Sequence, residues 1–278
     1  MGRTGEADGR VLRTGGAAVT RQITVVVPTI DEPEELRGCL DCLNNQYYDN
    51  FDVLIVDSGT GVNRDVVNDF SDRLAVEMLS MRRNGLPRAR NKAVTYIDET
   101  DVVAFCDPDA RPVSDWLGAL AVEYTDGVGA VGGPVLEPGD SLQDRETVGR
   151  IQPNGEIVSN FDADDRCLVH HLRGTNMSFD VDLLRELGGF DPAYEGTAHY
   201  EDTDATYKVH RAGYDVVYTP EAVLEHYHPE SERDLKAYHH YRLANWPILF
   251  EKTSPTLLDR VSFYTRLLMR AGYYRLRL

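Results

Sequence analysis

Lysine is nearly absent from this chain. Only four of its 278 residues are lysine (Lys92, Lys208, Lys236 and Lys252), so arginine supplies the other 25 of 29 basic residues, against 46 aspartates and glutamates. The resulting formal net charge of −17 excludes nucleic-acid binding by general phosphate attraction. Many carboxylates with few lysines are expected of a protein from a salt-loving source, where dense salt screens the self-repulsion of the surface. An ordinary acidic cytosolic protein is the plainer alternative. Long apolar runs are missing too. None reaches the ~18 residues that span a bilayer, and residues 1–21, rich in Gly, Arg and Thr, hold no apolar core of a secretion signal. Glu6 stands where a myristoylation signal needs Ser or Thr. Residues 1–21 are therefore expected to be a flexible tail on a cytoplasmic protein. Cysteine is sparse: Cys39, Cys42, Cys106 and Cys167. The one C-x-x-C, Cys39 and Cys42, lies in a helical pattern with no second pair to complete a zinc site. All four read as small buried or half-buried residues in a reducing compartment.

What is present is enough apolar material, 42% of residues, for one large domain with a sizeable core. Apolar runs at Ile23–Val27, Phe51–Val56, Ala75–Leu79 and Val102–Cys106 predict strands. Between them, helical patterns carry Leu36, Leu40 and Leu43, then residues 62–70, then Pro87 to Ile97. Trp116 to Tyr124 follows as a helix. Val128 to Leu136 predicts one strand and Phe179 to Leu187 a helix stopped by Gly188-Gly189. A hairpin turn is expected at Asn154-Gly155, a helix over Glu201–Arg211 ending at Gly213, and closing helices over 231–250 and 256–270. Strands alternating with helices predict a parallel sheet with right-handed crossovers, with ligands outside the carboxyl ends of the strands. Three such ends read Pro28-Thr29-Ile30-Asp31, Asp57-Ser58-Gly59 and Asp107-Pro108-Asp109, so three carboxylate-bearing turns are expected on one sheet edge.

Asp107 and Asp109, one residue apart past a buried strand, can reach one hard cation such as magnesium or manganese. Asp and Pro also favour plain turns, so a turn without metal stays open. Asp57 can accept hydrogen bonds from a ribose or base, or can cap the next helix. Arg88 and Arg90 suit phosphate or planar base edges but cannot share one helix side, so a functional role is expected for one of them. Glu201 and Asp202 open a helix, where acids are commonplace because of the macrodipole; the functional reading makes one of them a general base. His226 can complete a metal's ligand set or be an ordinary surface histidine.

The order of these motifs resembles family 2 of the inverting glycosyltransferases. The matching segments are Val26 to Glu32, Val56 to Gly59, Arg88-Ala89-Arg90-Asn91, Asp107-Pro108-Asp109, Arg173-Gly174-Thr175-Asn176, Gly188-Gly189-Phe190-Asp191, Glu201-Asp202-Thr203-Asp204, and Pro220 to His226. The resemblance covers about residues 22–228. It implies an α/β fold of the GT-A (nucleotide-diphospho-sugar transferase) type, a mostly parallel central sheet flanked by helices. The expected domain spans 22–230, with a helical appendage over 231–278. It further implies that Pro28, Thr29, Glu32, Asp57 and Arg90 hold the nucleotide. Asp109 would be the chief metal ligand and His226 a further one, with Asp107 at the metal and near the sugar or ribose. Asp202 would be the catalytic base, with Glu201 beside it, and Gly174 and Asn176 would line the cleft. The implied cofactor is Mg2+ or Mn2+ and the donor a nucleotide-diphosphate sugar. The salt-rich composition and the basic C-terminal stretch together suggest a glycan or polyprenyl-phosphate-linked acceptor, in surface-glycan or lipid-linked oligosaccharide assembly of a halophilic archaeon. The chain departs from the family pattern at Asp31, where Asn is usual, at Lys208, where Arg is usual, and at Ser58-Gly59-Thr60, which leaves base selectivity open.

From Pro255 to Leu278 there are five arginines and one acid, Asp259, with Leu257, Leu258, Val261, Tyr264, Leu267 and Leu268 on an apolar face. This predicts a helix lying on an anionic membrane, at its cytoplasmic side, or one packing on protein. Two rivals to a transferase are a sugar-phosphate nucleotidyltransferase and an inactive sugar-nucleotide-binding scaffold. The first wants a Gly-rich basic loop after the first strand, and Thr29 to Glu34 has neither glycine nor cation. The carboxylates at 107, 109 and 202 speak against the second.

Overall fold

The structure is a computed structural model that describes residues 20–227 and 235–277. The predicted tail, apart from residues 20 and 21, and the predicted boundary near 230 lie outside the described residues.

The first half alternates as its apolar pattern requires: β1 (Ile23–Thr29), α1 (Pro33–Asn44), β2 (Phe51–Asp57), α2 (Arg64–Phe70), β3 (Val76–Ser80), α3 (Leu86–Tyr96) and β4 (Val102–Phe105). Every residue of β1 and β4 is buried, as expected of parallel strands covered on both faces. Next come β5 (Ala110–Pro112), α4 (Trp116–Glu123), β6 (Val128–Gly132), β7 (Val135–Leu136), β8 (Arg150–Ile151), β9 (Ile157–Val158) and β10 (Cys167–Leu168). The chain continues through β11 (Met177–Asp180), α5 (Val181–Glu186), α6 (Glu201–Arg211), β12 (Asp215–Tyr218) and β13 (Leu224–His226), then α7 (Leu235–Lys252) and α8 (Leu257–Arg277).

Eight strands form the main sheet in the order β3-β2-β1-β4-β11-β6-β12-β10. β1 to β4 run parallel; β11 is antiparallel to both β4 and β6, and β12 is parallel to β6, so only β11 and β10 oppose the rest. One apolar cluster joins the sheet to α1, α2 and α4, and another joins it to α3, α5 and α6. In α1, Leu36, Leu40 and Leu43 are fully buried, each stabilising by about 1.5–3 kcal/mol. A three-stranded sheet, β5-β13-β7, stands beside the main one.

Two expectations are corrected. The segment from Phe179 is not helical at its start: Met177–Asp180 is a strand buried between β4 and β6, and the Asp180 side chain caps α5 by accepting from Leu183 N at 2.9 Å. A short apolar run buried on both faces has no period that separates strand from helix. The predicted strand over 128–136 is two strands in different sheets. Gly133 allows the break, since a Cβ there would lie 2.3 Å from Ala222 O, and Pro134 has no N–H for a ladder.

The last helices pack on the domain and on each other. Phe250 and Phe263 stack with centroids 3.9 Å apart, and Trp246 meets Phe263 edge-on at 5.0 Å. Lys252 ties the end of α7 to Asp191 at 2.6 Å and to buried Asp204 at 2.7 Å. The outer side of α8 leaves Leu257, Leu258 and Leu268 exposed. Among the described residues no helix is long and apolar enough to cross a membrane.

Candidate active site

The carboxyl ends of β1, β2 and β4 meet at one edge of the sheet, where register places Thr29 beside Asp57. A cavity of about 390 Å³ opens there, lined by Pro28, Thr29, Glu32, Asp107, Asp109 and His226 among others. Asp107 and Asp109 follow β4 in a turn closed by Ala110 N donating to Asp107 O at 3.1 Å. His226 is brought over from residue 226 by sheet register. β13 runs antiparallel to β5 with His226 opposite Ala110, and Tyr227 N donates to Asp109 O at 2.9 Å. His226 Nε2 then lies 3.0 Å from Asp109 Oδ1. One ligand atom from each of Asp107, Asp109 and His226 falls within 4.8 Å of the others, a set of two hard oxygens and one imidazole that could hold a divalent cation.

Glu32 sits over the same opening. Its burial, with a smaller contribution from Asp109, raises its carboxyl above the ordinary range. Asp31 does something else. Its backbone is left-handed (φ 54°), a conformation Asp tolerates, and its Oδ1 accepts from Thr60 N at 2.6 Å and Thr60 Oγ1 at 2.8 Å, which lowers its pKa. Gly59 is needed for that contact, since a Cβ would fall 2.3 Å from Asp31 Oδ1.

A second cavity, of about 470 Å³, shares Leu86, Asp107, Thr197 and His226 with the first. Its organiser is Arg90, only 1% exposed. Arg90 Nη1 contacts Glu201 Oε1, Nη2 donates to Gly174 O at 2.9 Å and lies 3.7 Å from Asp107 Oδ1, and the rings of Phe105 and Phe190 each lie 5.5 Å from its guanidinium. Burial pushes the Glu201 carboxyl up to about 8, against the pull of Arg90. Asp202 faces the cavity with both oxygens oriented by backbone: Oδ2 accepts from Gly174 N at 2.8 Å and Oδ1 from Thr203 N at 2.7 Å. Gly174 permits this approach, since a Cβ there would sit 3.0 Å from Asp202 Oδ2 and 3.1 Å from Arg90 Nη2.

The expected residues thus divide. Pro28, Thr29, Glu32 and Asp109 line the first cavity, Arg90, Gly174, Glu201 and Asp202 the second, and Asp107 and His226 both. Arg88 is exposed, donates to Asn84 O at 3.3 Å and lines neither. Two residues are not brought to the opening. Asp57 lies buried behind Thr29, its Oδ1 accepting from Asn63 Nδ2 at 2.9 Å. Asn176 does not line the cleft as expected but braces its surroundings: Oδ1 accepts from Trp116 Nε1 at 2.9 Å, and Nδ2 donates to Pro134 O and Ala222 O, both at 2.8 Å. Sequence reasoning missed Arg83 in the first cavity and Tyr200, Tyr238 and Arg242 in the second. The run Tyr238-His239-His240-Tyr241-Arg242, with no aliphatic side chain, was the available signal on α7. α7 pins the loop before α6: Asn245 Nδ2 donates to Glu195 O at 3.1 Å, and left-handed Gly196 passes so close to Tyr241 that a Cβ would lie 2.2 Å from its ring.

The sequence profile of "Glycosyl transferase family 2" matches residues 24–188. The "Pre-mycofactocin glycosyltransferase" of Mycobacterium tuberculosis is 24% identical over 263 residues, covering 91% of this chain and 53% of that protein. "Glycosyltransferase AglE" of Haloferax volcanii is 30% identical over 121 residues, covering 41% of this chain and 39% of that protein. The chain therefore spans about half, or less, of the length of these relatives. Among solved structures, the mannosyltransferase PcManGT from Pyrobaculum calidifontis, in complex with GDP-Man and Mn2+, superposes with a TM-score of 0.62 at 21% identity, covering 91% of this chain and 74% of that one. The shared architecture is the GT-A type: a mostly parallel sheet flanked by helices, with helices at the C-terminus.

Proposed function

Since more than half of its residues match the family profile, the chain belongs to glycosyl transferase family 2, and on that premise we propose that it moves a sugar from a nucleotide-diphosphate donor to an acceptor hydroxyl with inversion at the anomeric carbon. The observation that carries this reading is the seam between the two cavities. Asp107 and His226 line both cavities, with Asp109 in the first and the backbone-oriented Asp202 in the second. Inversion needs that split, with the leaving group on one face of the sugar and a base on the opposite face.

In the first chamber, Asp109, His226 and Asp107 would hold Mg2+ or Mn2+, which would supply positive charge to a nucleotide's diphosphate. Thr29 and Glu32 face the nucleotide. Asp57 acts from behind, through Asn63 and the β2 turn. In the second chamber Asp202 Oδ accepts the acceptor's hydroxyl proton as the oxygen attacks. Arg90 and Glu201 hold the Gly174 loop, and through it Asp202, in place. Screening a panel of nucleotide-sugars for nucleoside diphosphate release, with manganese and then with EDTA, tests the reading. Release that depends on the metal supports it; release that EDTA leaves untouched, or none from any donor, counts against it.

The domain limits proposed are 22–230 for the transferase and 231–278 for the appendage. The outer face of α8, with Leu257 77%, Leu258 81% and Leu268 73% exposed, is assigned to the surface of an anionic membrane, at its cytoplasmic side, because five arginines accompany one acid over 255–278. A lipid-linked acceptor would be met there. Replacing those three leucines with serine should abolish flotation with anionic vesicles; unchanged flotation would refute the assignment. The shortage of lysine and the match to a Haloferax volcanii protein support a salt-rich cell.

A further inference from the structure

The wall that α7 adds to the second chamber holds a cation without an acid. Arg242 is half-buried, its Nε donates to the Tyr200 hydroxyl oxygen at 3.3 Å, and the charged or polar groups that act on it are Tyr200, Tyr238 and Tyr274. Among the described residues no carboxylate lies within ion-pair distance of it. Arg173 lines the same chamber, exposed, and it too has no acidic partner among the described residues. Beyond Tyr200 and Arg242 a smaller pocket of about 140 Å³ continues; it adds Arg270, whose guanidinium lies 4.6 Å from the Trp246 ring centre, and Glu156, whose carboxylate is paired with Arg266 at 3.8 Å.

Acids are plentiful in this chain, 46 against 29 bases, and several of its arginines pair with them, among them Arg37 with Asp69, Arg166 with Glu123 and Arg185 with Asp182. The acids of the second chamber are engaged otherwise, Glu201 and Asp107 by Arg90 and Asp202 by the backbone of Gly174 and Thr203. A guanidinium partly removed from water without a counter-charge is costly unless a ligand brings the anion. Its planar fork fits phosphate or carboxylate. Tyr200 holds the fork, and Tyr238 presents a ring beside it in the same wall.

We propose that the acceptor carries an anionic group, a phosphate or a carboxylate, which Arg242 binds with the help of Arg173 and Arg270. Binding there presents the acceptor's hydroxyl to Asp202. This names the acceptor class for the transferase reading and rests on it. Calorimetric titration of the full-length protein, with EDTA present so that no divalent ion holds a phosphate at Asp107, Asp109 and His226, tests it with octyl phosphate, octyl glucuronide and octyl glucoside. The wild type should bind one of the anionic probes about tenfold or more tighter than the neutral glucoside. Arg242→Gln should erase that preference, Arg242→Lys should keep part of it, and Arg173→Gln, at an exposed position, should weaken it. Preference for octyl phosphate assigns a phosphate-linked acceptor, and preference for the glucuronide an acidic sugar. Equal binding of all three probes by the wild type, or an unchanged preference in Arg242→Gln and Arg173→Gln, overturns the proposal. Nucleotide-sugar binding with manganese, measured in parallel, separates the two claims: its failure in the wild type defeats the transferase reading, while its retention in Arg242→Gln shows that the variant is folded.

Discussion

The two chambers are built by different rules. The walls of the first come mainly from turns that directly follow strands β1, β2 and β4, so its functional side chains other than His226 lie within a few residues of a buried apolar run. The walls of the second come from segments far apart in the chain: α3, the residues around β9, the Arg173–Thr175 turn, the start of α6 and the middle of α7. The family profile ends at residue 188, before Glu201, Asp202, His226, Tyr238 and Arg242. A parallel sheet gathers most of the first chamber, the proposed donor side, at one edge, while the second, the proposed acceptor side, is assembled from separate segments.

The sharpest way to set the chambers apart is Asp202→Asn. It should lower turnover by about 10²–10⁴-fold in steady-state assays, because the proton acceptor is gone. Breaking the link between chambers comes next. Arg90 and Glu201 are almost fully buried, so Arg90→Leu leaves the protonated Glu201 carboxyl and the Gly174 carbonyl without their partner and should cost about 1–3 kcal/mol of stability, read by chemical denaturation; a loss under about 0.5 kcal/mol would mean that the guanidinium is not the brace described. On the donor side, His226→Ala should weaken manganese binding by about 10–100-fold in a spectroscopic metal titration, and an unchanged affinity would remove His226 from the ligand set. The smallest effect belongs to Gly174→Ala. The added methyl group meets Asp202 and Arg90 at 3.0–3.1 Å and should destabilise by about 1 kcal/mol while lowering turnover more than donor affinity.

The same contrast explains what could be read without coordinates. The alternation of the first half, the helix over Glu201–Arg211 and the acidic turn at 107–109 follow from local patterns, and the structure places them as expected. β5 and β13 have only three residues each, too few for a period, yet their pairing is what carries His226 to Asp109. Asn176 reads as a polar residue available to a ligand, but its side-chain oxygen and nitrogen are spent on Trp116, Pro134 and Ala222; such satisfaction depends on distant partners. Arg88 and Arg90 look alike in sequence, and only the packing of Phe105 and Phe190 around the second reveals the difference. The role of α7 has only its aromatic run as a local mark: Tyr238 and Arg242 reach the opening where Asn245 and Tyr241 hold the chain at Glu195 and Gly196.

The measurement that goes straight to the division of labour is calorimetric binding of the preferred nucleotide-sugar, with and without manganese, to the wild type, Asp202→Asn and Asp109→Asn. The account predicts that Asp202→Asn binds donor as the wild type does, with full dependence on the metal, while Asp109→Asn loses the metal-dependent part. Undiminished metal-dependent binding by Asp109→Asn, or an equal loss in both variants, would contradict it.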